Sequence, residues 1–181
     1  ELFIGAALGM AVQIGIAAAH ITGELLSSAM GLNFSTMIDP FSGHGSPTIS
    51  QALTMLASAI FLAGDFHLAF LQALFGSYVI LPVGAMAPLG IGWTVATSGG
   101  IMLPAGLAVG FPALVAVPLV PVSMATLARS APQLNIVAVG LPTAVFVGLI
   151  MLALALPVVA AGIGEATSRG LDLAQEIGGV R

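Results

Sequence analysis

Four ionisable side chains are surrounded by long apolar stretches of sequence: Glu24, Asp39, Asp65 and His67. An ionisable side chain at the centre of a lipid bilayer costs roughly 2.5–3.5 kcal/mol on insertion scales, so each of these four is a functional candidate. The three carboxylates also stand beside turn-forming residues, and the alternative is that they mark helix ends at a membrane surface. The sequence leaves both interpretations open.

The sequence does not predict metal-dependent or enzymatic chemistry. We find no metal-ligand partner three or four residues from His20, His44 or His67, and the chain has no Cys. A metal site needs such a cluster of ligands. No Ser–His–Asp order, phosphate-binding loop or GxSxG motif occurs. We therefore expect no catalytic residue, no metal, no cofactor and no enzyme activity.

The composition is that of an integral membrane protein. Of the 181 residues, 59% are hydrophobic and 6% are charged, and the mean hydropathy is +1.15. Soluble domains carry about 25% charged residues. Lys is absent, and residues 66–128 contain no charged side chain. We predict an all-α membrane fold of helical hairpins. The net charge of −4 argues against nucleic acid as a partner.

Residues 23–47 are the segment around which the chain is organised. Asp39-Pro40 opens a turn, because the residue before a proline is pushed out of the helical region. Ser46 suits an N-cap and Pro47 the first position of the next helix. The sequence thus predicts a helix end, a polar loop and a new helix. Such a loop must face water or a space walled by protein.

The first half of the chain, residues 1–83, predicts helices on both sides of this loop. Residues 2–21 are long enough to span a bilayer. Gly5 and Gly9 form a GxxxG pair, and Gly15, Ala19 and Gly23 repeat its four-residue spacing. Such small residues let helices approach closely in lipid. Chance in an Ala- and Gly-rich sequence is the alternative.

Two shorter apolar runs follow, and they are separated by a polar quartet at residues 64–67. Each run is too short to cross a bilayer alone, which needs about 20 residues. The quartet predicts either a hairpin turn or a kink. We favour a helix pair that is packed within protein and need not span.

The second half, residues 84–164, predicts hairpin helices rich in Gly and Pro. Interior prolines kink helices because each removes a backbone hydrogen bond. Four of them follow residue 101, at Pro104, Pro112, Pro118 and Pro121. We expect the clearest span at residues 136–163, and a separate amphipathic tail at residues 165–181.

Four stretches together resemble the FliR family of flagellar biosynthetic proteins and its virulence type III secretion relatives. They are GELLSSAMGLNFSTMIDPFSGHGSP at 23–47, FLAGDFHLAFLQAL at 61–74, LARSAPQLNIVAVGLP at 127–142 and GLIMLALALP at 148–157. They occur in the family's order and cover most of the chain. Compared with the family pattern, this chain lacks the N-terminal helices, an Asp near Pro121 and a Lys near Ala144.

The resemblance implies a core membrane subunit of the flagellar or type III protein export gate. Such subunits join FliP-like and FliQ-like subunits and other export-apparatus membrane proteins in the bacterial inner (cytoplasmic) membrane at the flagellar basal body. Unfolded export substrates pass through the centre, and membrane lipid surrounds it. The alternative from the residues alone is a small-solute or ion transporter that uses Glu24, Asp39 and Asp65.

The resemblance also implies site residues. A loop at residues 31–47 plugs the closed pore, and assembly contacts lie in the second half of the chain. The expected plug residues are Met30, Phe34, Met37, Asp39, Pro40, Phe41, Gly43, Gly45 and Pro47. The expected assembly residues are Arg129, Pro132, Gln133, Asn135, Gly140 and Gly148.

Arg129 gives a test of the assembly contacts. We expect it to cap the preceding helix or to pair with a carboxylate on a partner, and the alternative is that it only anchors the chain at the membrane surface. Arg129→Lys keeps the charge but loses the bidentate fork. If the contact is specific, the Lys variant should assemble poorly on native electrophoresis. Normal assembly and export by that variant would contradict it.

Overall fold

The structure, a computed structural model, describes residues 2–32, 48–80, 91–119, 122–123, 126 and 136–178. These residues form helices and turns, with no strand among them, which confirms the all-α prediction. The five long helices are α1 (Leu2–Ala29), α2 (Thr48–Ala63), α3 (Phe66–Ile80), α4 (Ile91–Ala116) and α5 (Ile136–Gly178).

Several of these helices are long and apolar enough to cross a membrane. Within the described ranges, three candidate spans occur, Ile4–Ala29, Gly99–Ala116 and Pro142–Ile177. The number rises to four if α2 and α3 together make one broken span. The membrane-protein prediction is therefore confirmed by helix length as well as by composition.

A tight turn at Gly64 and Asp65 separates α2 from α3. Asp65 has a φ of 55°, the left-handed conformation that Asp tolerates better than most residues. Its carbonyl oxygen accepts a hydrogen bond from the Leu68 amide at 3.0 Å, which starts α3. The two helices meet at a bend of 68°. The polar quartet therefore contains a turn at which the helix pair bends. Asp65 marks a helix boundary, which was one of the two roles considered for it.

Helix α1 lies at the centre of the bundle and packs against α2, α4 and α5. Its C-terminal half contributes to a large apolar cluster with these three helices. Its N-terminal half forms a smaller cluster with α3 and the C-terminal part of α5. Helix α1 therefore packs in two separate apolar clusters, one along each half of its length.

Small residues set how closely α1 approaches its neighbours. A Cβ atom added at Gly15 would lie 2.9 Å from the Thr167 Cα, and one added at Gly23 would lie 2.7 Å from the Ser50 Cβ. No real Cβ atom fits at such distances, so these two glycines let the backbones of α5 and α2 reach α1. By contrast, nothing described lies within 4 Å of a Cβ at Gly5 or Gly9. The predicted packing face is therefore confirmed at Gly15 and Gly23, whereas the packing role of the GxxxG pair stays a prediction.

Two predicted boundaries also need correction. Helix α1 runs past residue 21 to Ala29. The predicted tail at 165–181 is not separate from the last span, because α5 continues through it to Gly178. The helix continues because Ala174 and Ile177 are buried against α1 and α3, and this packing outweighs the polar residues between them. Residues 81–90 lie outside the described part of the chain.

The two classes of glycine on α1 give a matched pair of substitutions. Gly23→Ala should destabilise the fold by about 1–3 kcal/mol, because the new methyl group collides with the backbone of α2. Gly5→Ala should stabilise it by up to about 1 kcal/mol, because Ala favours the helix and the space is open. Thermal unfolding in detergent, followed by circular dichroism at 222 nm, measures both. Equal effects of the two substitutions would contradict the packing described here.

Candidate functional site

Polar side chains enter the packed bundle in a five-residue segment of α1, residues 20–24, which reads His-Ile-Thr-Gly-Glu. Because successive helical residues point in different directions, its side chains reach different neighbours. Thr22 faces α4, Gly23 faces α2, and His20 and Glu24 lie on the partly exposed side. We call residues 20–24 the polar segment.

Thr22 joins α1 to α4. Its Oγ1 atom is fully buried and lies 2.8 Å from the carbonyl oxygens of both Ala18 and Gly106. A hydroxyl group has one proton to donate, so the two carbonyls share it. Gly106 and Gly110 make this approach possible, since a Cβ at Gly110 would lie 3.0 Å from the Thr22 methyl group. The result is a buried interhelical hydrogen bond with no charge.

Glu24 joins α1 to α2. The Ser50 Oγ atom donates a hydrogen bond to Glu24 Oε1 at 3.1 Å, and Ser50 is fully buried. This hydroxyl can reach the carboxylate because Gly23, the residue before Glu24, lets the backbone of α2 come close. The Glu24 side chain is still 39% exposed. It is therefore held in place from one side and open on the other.

His20 lies one helical turn before Glu24 on the same face. Its Nε2 atom is 4.0 Å from Glu24 Oε1, and its side chain is 55% exposed. We assigned no partner to the histidines from their spacing, and for His20 this was wrong, because Glu24 is four residues away. The distance is at the outer limit for an ion pair and too long for a hydrogen bond. The described residues contain no group of three or more His, Cys, Asp or Glu that could hold a metal ion.

The position of Glu24 along the bundle follows from the packing of α1 against α5. Gly15 contacts Thr167, and farther along α1 Met30 contacts Gly148, so the two helices run antiparallel. Glu24 lies between Gly15 and Met30 and is thus level with the part of α5 between Gly148 and Thr167. Residues 148–163 of α5 contain no polar side chain. Glu24 was one of the residues that we considered as marking a helix end, and this was wrong, because α1 continues to Ala29.

The candidate relay of carboxylates does not come together in the described residues. Ser50, which contacts Glu24, is in the first turn of α2, and Asp65 follows its last turn. With a rise of 1.5 Å per residue, these two points are about 20 Å apart along α2. Asp39 lies outside the described residues. Glu24 and Asp65 are therefore separate sites.

Most of the predicted plug and assembly residues fall outside the described part of the chain. Those are Phe34, Met37, Asp39, Pro40, Phe41, Gly43, Gly45, Pro47, Arg129, Pro132, Gln133 and Asn135. Gly140 lies in the first turns of α5. Met30 and Gly148 are described and contact each other: Met30 is 1% exposed, and a Cβ at Gly148 would lie 2.7 Å from the Met30 Cγ. A predicted plug residue and a predicted assembly residue thus meet inside this chain, and the roles of the two sets stay predictions.

A crevice lies between α1, α4 and α5. Its volume is about 590 Å³, and its lining is mostly apolar, with Ile14, Pro104 and Val158 among its residues. Arg169 and Glu165 lie at its edge and form an ion pair one helical turn apart. Both side chains are about two-thirds exposed, so this pair contributes little to stability.

Two residues of this site, Ser50 and Thr22, escaped the sequence analysis. Ser50 stands in the first turn of α2 on the same face as the apolar residues Leu53 and Ala57. A small polar residue on an otherwise apolar helix face is a signal that could have been used. Its contact with Glu24 across 26 residues could not, because nothing local in the sequence specifies it.

Comparison with known proteins agrees with this architecture. The chain matches the family described as bacterial export proteins, family 1, over residues 1–170. It is 32% identical to the flagellar biosynthetic protein FliR of Pectobacterium carotovorum subsp. carotovorum over 178 residues, which cover 98% of this chain and 68% of that protein.

Two further FliR proteins are similar at lower coverage. The chain is 32% identical to FliR of Escherichia coli (strain K12), covering 88% of this chain and 62% of the relative. It is 29% identical to FliR of Bacillus subtilis (strain 168), covering 88% and 63%. The chain thus spans about two-thirds of the length of these relatives. The resemblance to FliR is confirmed, and the chain belongs to the bacterial export proteins, family 1.

Proposed function

We propose that this chain is a core membrane subunit of the flagellar or type III protein export gate. In this role it forms, with FliP-like and FliQ-like subunits, the channel for unfolded export substrates in the bacterial inner membrane at the flagellar basal body. The observation that carries the proposal is the family match over residues 1–170, together with helices long and apolar enough to cross a membrane. The subunit supplies structure, and we assign it no catalytic step.

The bent pair of α2 and α3 supports a subunit role over an isolated membrane bundle. Each of these helices is shorter than the ~20 residues that a span requires, and the bend between them is 68°. Large apolar side chains such as Met55, Phe75 and Val79 are exposed along both helices. A broken helix pair needs neighbours to satisfy its backbone at membrane depth. Other subunits of a gate are suitable neighbours.

The plug role of residues 31–47 is supported by how the two ends of this segment are held. Met30 is buried against Gly148, and Ile49 is buried in the same apolar cluster. Both ends of the segment are therefore fixed to the bundle core. A polypeptide that displaces the plug would leave these flanking residues in place.

The transporter alternative receives no support from the geometry. A relay would need ionisable side chains within reach of one another along a path. Glu24, on α1, contacts Ser50 in the first turn of α2, whereas Asp65 follows the last turn of α2. We therefore keep the export gate as the proposed function.

Removing the protein tests the export function directly. In the bacterium that makes this chain, deleting its gene should abolish secretion of flagellin into the medium, while flagellin still accumulates in the cells. Immunoblots of cells and medium measure both, and the wild-type gene on a plasmid is the control. Undiminished secretion without the chain would contradict the proposal.

Shortening the loop tests the plug. Deleting residues 41–45 should leave assembly intact but raise the resting ion conductance of the complex at least several-fold, because apolar bulk that blocks water and ions is lost. Conductance across planar bilayers containing the reconstituted complex measures this effect, and the unshortened complex is the control. An unchanged resting current in a normally assembled complex would rule out a plug.

A further inference from the structure

The side chain of Glu24 has an unusual combination of surroundings. It lies at a level where the neighbouring α5 carries no polar side chain, yet more than a third of it is exposed. A buried hydroxyl, that of Ser50, holds one of its oxygens at 3.1 Å. The carboxylate is thus fixed in position by α2 and presented on the outer face of the bundle.

This carboxylate retains unused hydrogen-bonding capacity. A carboxylate has about four acceptor sites. The described residues supply one hydrogen bond, from Ser50, and His20 approaches only to 4.0 Å. A carboxylate in apolar surroundings is costly unless it is paired and hydrogen-bonded. The folded chain therefore leaves a site that favours a cation.

The chain has few cations that could reach this site. It contains no Lys and only three Arg. Among them, Arg169 is paired with Glu165. It also lies at the level of the N-terminal half of α1, since its neighbour Gly170 contacts Ala11. From Ala11 to Glu24 the distance along α1 is about 20 Å. Arg129 and Arg181 lie outside the described residues.

We propose that Glu24 receives a basic side chain, Lys or Arg, from a neighbouring subunit. The contact rests on the multi-subunit assembly of the proposed function but does not depend on what that assembly transports. Charge complementarity indicates that the group that binds Glu24 is basic. An anion held within an apolar level attracts a cation that brings its own hydrogen-bond donors. Ser50 holds the Glu24 carboxylate in position. On the side of His20, which is itself exposed, a basic side chain from outside the chain can reach the carboxylate.

A substitution that removes only the charge gives the first test. Glu24→Gln keeps the length of the side chain and an oxygen that accepts from Ser50. Truncating one side of a desolvated charge pair mainly speeds dissociation, so the Gln variant should be retained in the complex at least about 30-fold more weakly. The full chain is expressed in its own bacterium, and the complex is extracted in mild detergent, diluted in steps and separated by native electrophoresis.

Glu165→Gln is the matched control. It removes a carboxylate that already has a partner in this chain, Arg169, and lies beyond the apolar level. This variant should dissociate like the wild type. If Glu24→Gln also dissociates like the wild type, Glu24 faces lipid or water, and the proposal is wrong. Equal weakening by both substitutions would show a general effect of charge and would also overturn it.

A folding defect is separated from a docking defect by a second measurement. The chain released from the complex by a harsher detergent is melted, with circular dichroism as the readout. The proposal requires the Gln variant and the wild type to melt within a few degrees of each other. A much lower Tm for the released variant would assign the effect to folding of this chain and overturn the docking role.

The identity of the cation is tested by reversing charges. A photo-crosslinking amino acid at His20 labels the neighbour in intact membranes, and mass spectrometry locates the attached peptide. Glu24→Lys should disrupt the complex, and reversing one Lys or Arg in that peptide to Glu should restore it at least tenfold. Attachment to residues near Arg129 of the same chain, or no rescue by any reversal, would overturn the proposal.

These readouts are independent of the export function. If the complex depends on Glu24 but flagellin secretion persists without the chain, the contact stands and the proposed function falls. If secretion is lost without the chain but Glu24→Gln leaves the complex unchanged, the proposed function stands and the contact falls.

Discussion

The fold depends on how closely other helix backbones approach α1. In lipid, apolar side chains gain little by leaving the surrounding tails, so helices are held together by close packing and by hydrogen bonds. Glycines provide the close packing on both sides of these contacts. Gly15 and Gly23 belong to α1, whereas Gly106 and Gly170 belong to the helices that face it. A bulky side chain at any of these positions would push a neighbouring helix away along its whole length.

Close packing also determines where polar groups can meet. A helix carbonyl is normally shielded by the side chains around it, but the Gly106 carbonyl accepts from Thr22 because Gly106 has no Cβ atom to hold α1 away. The same reasoning applies to Ser50, whose hydroxyl reaches Glu24 beside Gly23. The polar contacts between the helices thus depend on the packing glycines. If an added methyl group at Gly23 pushed α2 outward, the Ser50–Glu24 hydrogen bond would be weakened as well as the packing of the apolar core.

The sequence predicts the class of fold but not which of its repeated features are used. Gly5, Gly9, Gly15 and Gly23 lie in one helix, and only Gly15 and Gly23 contact a neighbouring helix among the described residues, because packing is decided by the facing helix and not by spacing. The spacing of His20 and Glu24 is local and could have been predicted. The contact of Glu24 with Ser50 depends on how α2 packs against α1, which local patterns do not encode. The continuity of α5 was missed for the same reason, since burial against α1 and α3 sustains it.

The length of α5 shows that lipid cannot cover the whole bundle. With a rise of 1.5 Å per residue, its 43 residues extend about 65 Å, whereas the hydrocarbon layer is about 30 Å thick. The charged residues that follow Glu165 keep the C-terminal part of α5 out of that layer. The N-terminal half of α1 and the helix α3 pack at this same level. Exposed apolar side chains at this level, including Leu2 and Phe75, therefore stand beside the charged stretch of α5. The distribution of charge along α5 and the open carboxylate on α1 both support the proposal that other subunits complete this chain.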